Sequence, residues 1–176
     1  MLRTVGILVL FSGSLAAPPT AQTLRSAILA PQLTEALNQQ KLDAIAAQDP
    51  DEPDRFVAAL LFQDTQLLLV SARYALPPLI QAKLGQKQYR DVYLDLQGAA
   101  IPDTSVFFQD MKADGLCSNR DQTADVVYEG AAPPTIFDGN SKKHNLSETE
   151  YEAQVAAADR KYSRNLEILL AQLRGM

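Results

Sequence analysis

The chain of 176 residues is predicted to be an α+β protein: an antiparallel, barrel-like sheet with an N-terminal helical segment, one inserted helix and a long C-terminal helix. Three observations carry that prediction. Short continuous apolar runs, FVAALLF at 56–62 and QLLLVSA at 66–72, have strand length and are separated by three polar residues. The stretch 92-VYLDLQ-97 alternates Val92, Leu94 and Leu96 against Tyr93, Asp95 and Gln97, the period of a strand. Near the C-terminus Tyr151, Val155, Ala158, Tyr162, Leu166, Leu169 and Leu173 recur every three or four residues, the period of a helix. With 47% hydrophobic and 21% charged residues, the chain has the means to close one core, so a single domain over 22–176 is expected behind a leader at 1–21.

The leader, MLRTVGILVLFSGSLAAPPTA, has one early cation at Arg3, an apolar run over 5–15, and small residues at Ser14 and Ala16 with the spacing a signal peptidase prefers. Cleavage is expected after Ala16 or after Ala21. The run is too short to span a bilayer comfortably, and no cysteine follows it to take a lipid. Export to the periplasm or beyond is therefore expected, with no membrane attachment after processing.

Residues 23–47 read as helical, either one broken helix or two short ones. Leu24, Ile28, Leu33, Leu37 and Ile45 hold near-helical spacing, and Pro31 suits a first turn. The next stretch, 48-QDPDEPD-54, has two prolines, four acids and no apolar residue, so an exposed loop is expected. The two apolar runs then form a hairpin whose strands are covered on both faces. A helix over 77–88 follows, with Leu76, Ile80 and Leu84 stacked four apart, and then the alternating strand 92–97. Further strands are expected at 105–111, 125–129 and 134–138, the last two joined as a hairpin through 130-GAAP-133. Ser147 with Glu150 three residues later makes a capping box for the C-terminal helix. Its long apolar stripe must lie on the sheet or on the same helix of a second copy, and a homodimer through this helix is expected.

The formal charge is −5; without the leader, 15 Lys+Arg stand against 21 Asp+Glu, near −6. That balance disfavours nucleic acid and anionic membranes as partners. Cys117 and His144 are the only residues of their kinds, which excludes an internal disulfide and a His/Cys zinc site and leaves His144 as the one histidine a catalytic triad could use. The segment 110-DMKADG-115 with Asp121 partly matches an EF-hand loop, but Lys112 puts a cation at the third ligand position, so a polar turn after a strand is expected. No nucleophile elbow, phosphate-binding loop or dinucleotide fingerprint is present, and no catalytic constellation or metal site is assigned.

One stretch of this acidic chain gathers cations: Arg73, Lys83, Lys87 and Arg90 within 69–97. A helix opening at Pro77 presents unpaired N–H groups and a positive dipole end, and Ser71 with Arg73 just upstream would complete a pocket for an anion. The other reading is that these cations solvate the helix rim and pair with Asp91 or Asp95. The order hairpin, short helix, strand, strand over about 56–111 resembles the FMN-binding split barrel of the pyridoxamine 5'-phosphate oxidase-like families. That resemblance implies a split-barrel-like sheet, a homodimer, and a flavin phosphate held by Ser71 and Arg73, with Lys83 a looser match on the helix. Two functions are thus expected as alternatives. One is an exported binding or structural protein that takes an anionic small molecule; the other is an FMN-dependent oxidoreductase whose cofactor carries the chemistry.

Overall fold

In the computed structural model the described residues are 24–53, 55–62, 65–73 (73 by its backbone), 106–116, 124–130 and 132–176. They form six strands: β1 (Ala44–Gln48), β2 (Arg55–Phe62), β3 (Gln66–Arg73), β4 (Val106–Asp110), β5 (Asp125–Glu129) and β6 (Thr135–Phe137). Two α-helices accompany them, α1 (Ser26–Gln39) and α2 (Glu148–Arg174), with a 3₁₀ turn at Ser141–His144. Each strand pairs antiparallel with the next, in the order β1-β2-β3-β4-β5-β6, which makes an open meander. The α+β class, the N-terminal helix, the hairpin of apolar runs and the long capped C-terminal helix are all present. The expected helix 77–88 and strand 92–97 lie outside the described residues.

The continuous apolar runs of β2 and β3 follow from burial on both sides. Register partners Val57 and Ser71, Ala59 and Leu69, and Leu61 and Leu67 share one face, whose apolar members pack in a single cluster with α1 and α2 through Leu33, Leu37, Tyr162, Leu166 and Leu169. The opposite face carries a second buried cluster of Phe56, Leu60, Leu68, Val70, Ala72 and Phe107. A strand with no wet face loses the polar half of its alternation.

Three expectations need correction. Residues 44–48 are a strand rather than the end of a helix, because α1 stops in a Schellman-type turn: Lys41 takes a left-handed φ of 56°, Leu42 N–H reaches Leu37 O at 2.9 Å, and Lys41 N–H reaches Asn38 O at 3.1 Å. Pro31 sits inside one continuous helix instead of opening a second. The 49–53 loop is not wholly solvated: Asp49 is 2% exposed and tied to two arginines.

The start of α1 is built from elsewhere in the chain. Arg25 has helical angles and gives no side-chain cap; instead Asp159 on α2 accepts from Arg25 N–H at 3.2 Å and from Ser26 N–H at 3.0 Å. Ser26 Oγ accepts from Leu116 N–H at 3.1 Å. Gly115, at φ +96°, brings the turn after β4 so close that a Cβ there would fall on the Ser26–Ala27 backbone.

Candidate functional site

The start of β2, the end of β3 and the middle of α2 meet at Arg55, the first residue of β2. Its Nε donates to Ser71 Oγ at 2.6 Å, and its Nη2 donates to Asn165 Oδ1 at 3.1 Å. Nη1 faces the acidic loop, 3.3 Å from Glu52 Oε1 and 3.9 Å from Asp49 Oδ2. The same loop is held from α2 by Arg164, whose Nη2 lies 3.0 Å from Asp49 Oδ1 and also bonds Asp51 Oδ2. Asp49 in turn accepts from Asp51 N–H at 3.0 Å, so the loop folds around its own buried carboxylate.

The guanidinium therefore has two differently dressed edges. The Nη1 edge meets carboxylates, whereas the Nε/Nη2 edge, the fork that matches a carboxylate or phosphate, meets two neutral oxygens. Ser71 is 1% exposed and Asn165 0%, while the Arg55 side chain is 22% exposed and so forms the rim of the cluster. Asn165 Nδ2 is buried and has no hydrogen-bond partner among the described residues. With Oδ1 accepting from Arg55, the Asn165 amide leaves its donor beside the fork, and the Ser71 hydroxyl, accepting from Nε, keeps its own proton to give.

Of the residues the sequence singles out, Ser71 belongs to this cluster. Arg73 is the register partner of Arg55, directly across the β2–β3 ladder. Lys83, like Lys87, Arg90, Asp91 and Asp95, lies outside the described residues. Arg55, Asn165 and Arg164 were not singled out. Arg55 reads as an ordinary polar strand start, and its Asn165 partner is 110 residues away. A usable signal exists in Ser163 and Asn165, two polar residues bordering the α2 stripe, both buried in the structure.

Other ionisable groups serve the fold. Asp110 is fully buried; burial pushes its carboxyl up, opposed by N–H groups of Gly115 and Asp114 at 2.8 and 3.1 Å, while Tyr162 Oη donates to it at 3.1 Å. These bonds tie the would-be calcium turn to α2. His144, through Nε2, pairs with Asp138 at 2.9 Å and stacks on Tyr151 with ring centroids 6.0 Å apart. Among the described residues no three His, Cys, Asp or Glu side chains are placed to hold a metal, and no helix is long and apolar enough to cross a membrane. No protein-family model, no curated protein and no solved structure matches this chain.

Proposed function

We propose that this chain is an exported, non-catalytic binding protein that holds the anionic group of a small molecule at the β2–β3 end of its sheet, through Arg55, Ser71, Asn165 and Arg73. The observation that carries the reading is the Asn165 amide beside the Arg55 fork, buried and without an acceptor among the described residues. An anion entering at the exposed rim of Arg55 would replace two neutral acceptors with a charged one, and it would accept hydrogen bonds from the Ser71 hydroxyl and the Asn165 amide as well. Arg73, opposite Arg55 in the ladder, adds a second cation at the same end of the hairpin. The acids Asp49, Asp51 and Glu52 are paired with the Nη1 edge of Arg55 and with Arg164, so these carboxylates do not occupy the Nε/Nη2 fork.

Calorimetric titration at low salt with inorganic phosphate, acetate and FMN tests the reading. Wild-type protein should bind at least one of them saturably. Arg55→Ala and Arg73→Ala should each weaken that binding by about 1.5–3 kcal/mol, the range for a hydrogen bond to a charged group. Uptake of FMN with a yellow product would favour the flavin-dependent alternative. Absence of binding by all three at millimolar concentration would reject the site. Export is tested separately by intact mass in the native host, where loss of the first 16 or 21 residues is expected; a full-length species would contradict it.

A further inference from the structure

Met111, just past β4, is 36% exposed, and its thioether sulfur accepts two hydrogen bonds: from Gln66 Nε2 at 3.4 Å and from Gln109 Nε2 at 3.1 Å. A thioether is a weak acceptor, and exposed glutamine amides ordinarily turn to water. Here two of them come together on one sulfur from neighbouring strands, Gln66 opening β3 and Gln109 near the end of β4. Met111 belongs to neither buried apolar cluster, so its chemistry can change without disturbing the core.

We propose that Met111 is a site of reversible oxidation to methionine sulfoxide by a peroxide-class oxidant, with the Gln66 and Gln109 amides as a cradle for the sulfoxide oxygen. In the step, a sulfur lone pair forms the S–O bond to one peroxide oxygen and the O–O bond breaks. The departing oxygen takes up the proton released by the transferred one and leaves as water. Sulfur loses two electrons and hydrogen peroxide gains two. The amide N–H groups then shift from sulfur to the new oxygen, a much stronger acceptor. Oxidation ordinarily turns an apolar contact into a polar one that has no partner; at Met111 the partners already stand in place. The two amides approach the sulfur unequally, Gln109 at 3.1 Å and Gln66 at 3.4 Å, so the two sulfoxide epimers should form in unequal amounts.

The chain carries its own control. Met176, the C-terminal residue, is 67% exposed, and among the described residues no amide bonds its sulfur. The full chain is treated with graded hydrogen peroxide, digested under conditions that preserve sulfoxides, and followed by peptide mass before and after treatment with each of the two stereospecific methionine sulfoxide reductases. The Met111 sulfoxide should be reduced to clearly different extents by the two reductases, whereas the Met176 sulfoxide is reduced about half by each. Removing the amides with Gln66→Ala and Gln109→Ala should bring Met111 to the Met176 pattern. The melting temperature should be unchanged by oxidation in the wild type. An even epimer ratio at Met111 in the wild type, a Met111 that stays reduced when Met176 is fully oxidised, or an unchanged epimer preference in the double variant would each overturn the proposal.

Discussion

Asp138 collects three donors in a short turn: Lys143 Nζ at 2.8 Å, His144 Nε2 at 2.9 Å and the Asn140 N–H at 3.1 Å. Partial withdrawal from water works to raise its pKa, but the bonds from Lys143, His144 and Asn140 outweigh it and hold the carboxyl at about 2, below its ordinary 3.8. A depressed carboxylate contributes stability that is present above the unfolded value and is lost as pH falls through the folded one. The melting temperature of the wild type should therefore exceed that of Asp138→Asn above pH 3.8, and the gap should close as pH approaches 2. A gap that stays constant over that range would show that the turn does not depend on this charge. None of this was legible beforehand, because the sequence shows only a DGN turn near a lone histidine, and the contacts depend on how the turn closes. Ser71, by contrast, was legible as a hydroxyl at the end of an apolar run, next to Arg73 and ahead of the expected helix. Its companion Asn165 shows only as a polar residue bordering the α2 stripe, and its pairing with Arg55, 110 residues away, is made by tertiary folding.

Among the elements, α2 was the most readable, and the reason is physical: its signals are local. Ser147 Oγ accepts from Glu150 N–H and the Glu150 carboxylate returns to Ser147, the reciprocal pair that the sequence announces. The end of α1 was misread because Lys41 occupies a left-handed position that glycine or asparagine normally takes. Without that signal the Ala-rich stretch after it looks helical. Lys41→Gly should relieve the strain and raise stability by about 1 kcal/mol, measurable by urea unfolding with an unchanged slope. No gain, or a loss, would mean that the Lys41 side chain makes up for its backbone. Gly115→Ala should act in the other direction. It places a methyl group against the Ser26–Ala27 backbone and forces a residue with a Cβ to φ +96°, so a loss of about 1–3 kcal/mol is expected from the crowding alone. A stability near wild type would contradict the tight seat of α1 against the β4 turn.

At the scale of the molecule, the sheet's apolar runs already implied cover on both faces, and two buried clusters on opposite faces meet that requirement. Strand order was less legible than strand identity, since antiparallel neighbours are chosen by connections whose length and path periodicity does not report. The α2 stripe shows the same limit. Its period predicted burial but not against what, and Tyr162, Leu166 and Leu169 are 0% exposed within a single chain, against α1 and the sheet. Leu166→Asp should then abolish cooperative folding rather than split a dimer, because it sets a carboxylate in the chain's own core. A homodimer, if light scattering finds one, would have to be joined by surfaces other than this stripe. The central claim is the anion fork at the β2–β3 end. Its most direct test is nuclear magnetic resonance of the ¹⁵N-labelled protein, following the Asn165 side-chain amide and the Arg55 Nε–H through a phosphate and acetate titration at low salt. The account predicts that both resonances move together and saturate, with the Asn165 amide protons shifting as they gain an acceptor; resonances that stay fixed to millimolar anion, or an Asn165 amide that moves equally in Arg55→Ala, would contradict it.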